Sequence, residues 1–127
     1  MATIDADAHV LETPRTWEFM PPNLKRHTPF VVNQQSGETT LGSSGNVIRE
    51  FWVVDNRLHN KQFNVGLDTS EAAREMTDIQ ARIDHMKELE IDIQVLFPTL
   101  FLRPLTMNAE IDYAICYSYN RWLAEIN

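Results

Sequence analysis

The chain has 127 residues, 43% hydrophobic and 23% charged, a composition that supports one domain with a real core. Its formal net charge of -7 lacks the basic surface that phosphate binding needs, so nucleic acid is not an expected partner, and an anionic membrane is not either. Cys116 is the only cysteine, which leaves no intrachain disulfide and fits a cytoplasmic location; no signal peptide opens the chain, and no apolar run is long enough to span a bilayer.

Residues 3–11 alternate strictly and predict a first strand. Ile4, Ala6, Ala8 and Val10 fall on one face, expected to be buried, and Asp5, Asp7 and His9 on the other. A solvated strand face accounts for such a pattern. A metal site accounts for it as well: carboxylate oxygen and neutral imidazole nitrogen bind zinc- or manganese-type ions, and Asp7 and His9, two residues apart, would point the same way.

From Glu12 to Pro29 the prolines at 14, 21, 22 and 29 block long regular structure and predict a loop. Trp17 and Phe19 within it are too apolar to stay in water. They either pack over neighbouring elements or form one wall of a substrate pocket. Phe30–Val32 and Val47–Val54 are rich in β-branched and aromatic residues and read as strands, with a polar Gly/Ser/Thr-rich turn region at 34–46 and an Asp55–Asn56 turn before Arg57–Leu58. The span 30–58 is thus an antiparallel hairpin inserted after the first strand, and 60–67 is irregular.

The span 70–127 reads as helix, strand, helix. Asp68, Thr69 and Ser70 offer caps, and Ala72, Met76, Ile79, Ile83 and Met86 recur at helical spacing, which predicts one amphipathic helix of four to five turns ending near Glu90. Its opposite, solvent face carries Arg74, Asp78, Arg82, His85 and Glu88; Glu75 and Lys87 add further charges on that side. His85 is a possible ligand or, more simply, a solvated helix residue. Ile91–Phe97 is the second strand, stopped by Pro98. Strand, crossover helix, parallel strand is the unit of α/β folds. After an apolar loop at 100–105, Thr106 or Asn108 caps a second helix with Ile111, Ala114, Ile115, Ser118, Trp122 and Ile126 on one face. Tyr113, Cys116, Tyr117, Tyr119 and Leu123 widen its apolar surface.

Two stretches, Asp7-Ala8-His9 and Arg82-Ile83-Asp84-His85-Met86-Lys87-Glu88-Leu89-Glu90-Ile91-Asp92-Ile93-Gln94-Val95-Leu96-Phe97-Pro98-Thr99, carry a resemblance. In their order and separation they resemble amidohydrolase family 2 of the amidohydrolase superfamily, which includes aminocarboxymuconate-semialdehyde decarboxylase and gamma-resorcylate decarboxylase-like enzymes. Asp7 stands where many members have a first His. The resemblance covers most of the chain and is weakest over residues 30–65. It implies an α/β fold, the N-terminal part of a (β/α)8 TIM-type barrel with about two strand–helix units. It implies a divalent metal (Zn or Mn) held by Asp7 and His9, with Asp5 structural, and a hydrolase or non-oxidative decarboxylase acting on a small aromatic or carboxylic substrate.

A complete barrel takes about 250 residues. The further ligands in the family, a His from about the fifth strand and an Asp from the eighth, are therefore expected beyond Asn127, and the isolated chain is expected to hold metal weakly and to lack activity. His27 and His59, both placed in loops, are the other imidazoles in principle within reach of an ion. No H-E-x-x-H, G-x-S-x-G, C-x-x-C or phosphate-binding glycine loop is present. Trp17, Phe19, Phe97 and Phe101 suggest an apolar or aromatic substrate pocket. Unpaired strand edges and helix faces at 72–89 and 109–126 predict pairing with another copy or another polypeptide, and a non-catalytic oligomerising module is the alternative to the enzyme.

Overall fold

The computed structural model describes residues 1–35, 48–61 and 69–126. The expected turn region at 34–46 and the irregular segment at 60–67 fall largely outside them. Among the described residues five strands and three helices follow in chain order: β1 (Ile4–Val10), β2 (Phe30–Gln35), β3 (Ile48–Val54), β4 (Arg57–Asn60), α1 (Glu71–Arg74), α2 (Ile79–Glu88), β5 (Ile93–Pro98) and α3 (Ala109–Glu125). Two short 3-10 helices, Pro14–Trp17 and Pro22–His27, occupy the proline-rich loop, each opening on a proline whose fixed φ suits a first turn. The fold is mixed α/β. β1 and β5 form a parallel two-stranded sheet, and β2, β3 and β4 an antiparallel three-stranded one.

The expected hairpin gains a third strand, so His59 lies on β4 and not in a loop. Asp55 and Asn56 both take positive φ (48° and 59°), the backbone of a tight two-residue hairpin turn. Register pairs Val31 with Trp52 and Trp52 with His59. That face turns inward, where Trp52 and Val54 are buried.

The core gathers Val10, Trp17, Met20, Trp52, Val54, Met76, Leu105 and the inner face of α3: Ile111, Ala114, Ile115, Tyr119 and Trp122. Trp17 meets Trp52 edge-on at 5.9 Å between ring centroids, and Phe101 meets Tyr119 likewise at 5.0 Å. Ser118, buried on the same helix face, donates to the Thr16 carbonyl at 2.8 Å and docks α3 on the first 3-10 helix.

The single helix expected from Ser70 to Glu90 is two. Ser70 caps α1 through the Ala73 N–H, and Asp78 caps α2 through the Ala81 N–H. Between them the N–H groups of Thr77 and Asp78 both return to the Ala72 carbonyl while Met76 takes φ 55°, a left-handed helix stop. The break moves α2 out of phase with α1. Met76 stays buried, but Ile83, expected inside, is exposed, and Arg82, expected in solvent, is only 8% exposed.

The first strand also departs from its pattern. Asp5 sits beside Gln94 but Ala8 beside Leu96, so three steps along β1 match two along β5, a bulge of one residue. A one-residue slip exchanges the two faces of a strand. Before the bulge Asp5 faces α2 and Ile4 is left 57% exposed; after it Ala8 and Val10 turn into the core. Asp5 and His9 therefore do not share a face.

The free edge of β1 is covered over its last turns. Leu11 N–H donates to the Arg74 carbonyl, and the Arg82 Nη1 and Nη2 groups both donate to the His9 carbonyl at 3.1 Å. Backbone groups that a neighbouring strand would take are thus partly satisfied by the corner between α1 and α2.

Candidate functional site

Asp7 lies at the middle of β1 and His9 next to its last residue. The His9 Nδ1 lies 3.2 Å from the Pro98 carbonyl oxygen. A carbonyl only accepts, so Nδ1 carries the hydrogen, and in the neutral ring Nε2 then presents its lone pair. That nitrogen stands 3.6 Å from Asp7 Oδ1, too far for a good hydrogen bond. Two ligands bonded at about 2.1 Å to one tetrahedral ion would be about 3.4 Å apart, close to the separation of this pair. The Asp7 side chain is 93% exposed and that of His9 36%, so both are open to an incoming ion. Among the described residues no three His, Cys, Asp or Glu side chains converge in the way a complete site requires.

The backbone of this pair is held by a relay. Asp5 Oδ1 accepts the Asp7 N–H at 3.1 Å, and its Oδ2 accepts from Gln94 Nε2 at 3.0 Å. Gln94 Oε1 in turn accepts from Arg82 Nε at 2.9 Å, and Arg82 also donates to the carbonyls of His9 and Ala73. A cavity of about 540 Å3 opens alongside, with Asp5, Asp7, His9, Arg74, Arg82 and His85 among its lining residues. Two Arg74 nitrogens, Nε and Nη1, are enclosed without a hydrogen-bond partner, which leaves two unused donors at the cavity wall.

Glu12, three residues after His9, is only 3% exposed. It accepts the N–H of Thr99 at 3.0 Å, and both of its oxygens accept the N–H of Leu100. Thr99 Oγ1 donates to the Val10 carbonyl at 2.7 Å, which closes the staple between the ends of β1 and β5. Burial pushes the Glu12 carboxyl up to about 7 despite those backbone donors. Glu12 also lines a smaller cleft with Glu50, Glu71, Glu75 and Lys61, where Lys61 pairs with Glu50 at 2.7 Å. Burial and then Glu71 raise the Glu75 carboxyl there.

Of the four aromatic residues expected at a substrate pocket, Phe97 lies beside His9, with ring centroids 6.2 Å apart. Trp17 is in the core against Trp52 and Phe101, while Phe101 and Phe19 are partly buried against the same cluster. His85 reaches the cavity wall from α2. His27 accepts from Arg26 Nε at the end of the second 3-10 helix. His59 has Nε2 buried without a partner, and burial, with Arg103 and Arg57, pushes its pKa down. Sequence periodicity did not single out Glu12, Arg82 or Gln94. The one available signal was Glu12, an acid placed where an apolar strand ends. Compared with family models, curated proteins and solved structures, the chain finds no match.

Proposed function

We propose that the chain is the N-terminal portion of a metal-dependent amidohydrolase-type enzyme, a hydrolase or non-oxidative decarboxylase of a small aromatic or carboxylic substrate, built on a (β/α)8 barrel. The observation that carries this reading is the 3.6 Å approach of Asp7 Oδ1 to a His9 Nε2 whose lone pair is freed by the Pro98 carbonyl. A second atom that fixes the tautomer is what metal-bound imidazoles have in common. Asp7 and His9 would hold the ion, which supplies Lewis-acid polarisation of a water or a substrate oxygen. Phe97 offers an apolar surface beside it, and Arg74 a cation for a substrate carboxylate. Calorimetric titration with Zn2+ and Mn2+ tests the reading. Saturable binding lost in His9→Ala and in Asp7→Asn is expected, with no metal-dependent turnover by this chain alone because two protein ligands activate water poorly. Absence of binding in the unaltered chain refutes it.

A non-catalytic oligomerising module is the second reading. It is favoured by the sheet face on which Ile4, Ile93, Val95 and Phe97 are exposed together. Sedimentation equilibrium of a chain that binds no metal, showing a dimer at micromolar concentration, would select it.

A further inference from the structure

We infer that Asp5, Gln94 and Arg82 are positioning residues that hold the backbone of Asp7 and His9 at the separation a divalent cation needs. The inference rests on the reading of Asp7 and His9 as a ligand pair. The relay grips that pair at two points. Asp5 Oδ1 takes the Asp7 N–H, and the Arg82 guanidinium forks onto the His9 carbonyl. Gln94 joins the two grips, giving its Nε2 hydrogen to Asp5 Oδ2 and taking the Arg82 Nε hydrogen on Oε1.

The first grip lies within the bulge, between Asp5 and Ala8, and the second lies just past it. A side-chain acceptor two residues back along the chain gives the Asp7 N–H a partner that the β5 ladder does not supply there. Arg82 is the cation suited to the second grip. Its planar fork satisfies several carbonyls in fixed directions, whereas a lysine offers one mobile point charge. Among the described residues no carboxylate is in direct contact with Arg82, and the polar chain through Gln94 to Asp5 supplies its counter-charge. The sequence places these three residues on three different elements, β1, α2 and β5, so the ligand pair inherits its geometry from the packed strand–helix–strand unit.

The direction of each bond in the relay gives a test by reversal. Asp5→Asn keeps an acceptor for the Asp7 N–H but turns an amide N–H2 toward the Gln94 N–H2, which breaks the relay. Adding Gln94→Glu restores it with opposite polarity, because the new carboxylate accepts both from the amide introduced at position 5 and from Arg82 Nε. With Zn2+ as probe, Asp5→Asn is expected to weaken binding about tenfold or more. The double variant should return it to the original affinity, whatever either does to thermal stability. A folded Asp5→Asn chain that binds Zn2+ normally, or a double variant that shows no recovery, overturns the inference. If Asp5→Asn does not fold, Arg82→Lys takes its place with the same expected loss. If the unaltered chain binds no Zn2+, the ligand reading fails separately. The relay is then read without metal from the nuclear Overhauser contact between Asp7 Hβ and His9 Hε1. That contact should be present in the original and the double variant and absent in Asp5→Asn; its persistence in Asp5→Asn overturns the inference.

Discussion

Replacing Glu12 by Gln should make the chain more stable above neutrality while leaving it nearly unchanged in acid. Glu12 is buried at the staple between β1 and β5, and its carboxyl is pushed from 4.5 up to about 7. An acid whose pKa is higher in the folded state binds more protons folded than unfolded between those two values. Stability therefore falls as pH rises through that window and levels off above it. At 1.36 kcal/mol for each pH unit the gap amounts to about 3 kcal/mol. Glutamine keeps an oxygen for the Thr99 and Leu100 N–H groups but cannot ionise. Urea unfolding at intervals from about pH 4.5 to 8 should show the original chain losing up to about 3 kcal/mol relative to Glu12→Gln. Glu75 is also raised and contributes a slope of the same sign to both chains, so the difference between them isolates Glu12. Parallel curves for the two proteins would refute the argument that burial outweighs the backbone donors.

Three other outcomes follow from single features. Glu90 takes φ 56° just past the end of α2, where the Ile91 N–H returns to the Met86 carbonyl; Glu90→Gly should raise stability by about 1 kcal/mol in thermal or urea unfolding, since only glycine takes that conformation without cost. Ser118→Ala removes the buried bond to the Thr16 carbonyl and leaves that oxygen unpaired, so a loss of about 1–3 kcal/mol is expected by the same measurement, with the α3 helix signal unchanged by circular dichroism. Val95→Lys places a charge in the middle of the exposed β1–β5 face; light scattering at micromolar concentration should show the original chain self-associated and the variant monomeric, and equal masses for the two would remove that face from any assembly.

Local signals set much of the secondary structure. Asn108 accepts from the Glu110 and Ile111 N–H groups and starts α3; of the face that 3.6-residue spacing picks out, Ile111, Ala114, Ile115, Ser118 and Trp122 are buried, Ile126 is partly buried, and Tyr119 joins them. The strand over Ile48–Val54, the Asp55–Asn56 turn and the strand ending at Pro98 were also legible, because β-branched runs and turn residues act over a few neighbours. Asp7 and His9, two residues apart in the sequence, approach to 3.6 Å in the structure. Three features arose only on packing. The bulge in β1 comes with a bond between Asp5 and Gln94, 89 residues away, and it puts Asp5 and His9 on different faces of the strand. The break at Met76 turns α2 so that Arg82 is buried against β1, against the hydrophobic period of the chain. Trp17 is committed to Trp52 and Phe101 in the core, while Phe97 remains beside His9. Periodicity along one segment reports which face is apolar, but a buried polar group is tolerated only where distant partners satisfy it. Those partners, Gln94 for Asp5 and the His9 and Ala73 carbonyls for Arg82, are brought within reach by the tertiary fold alone.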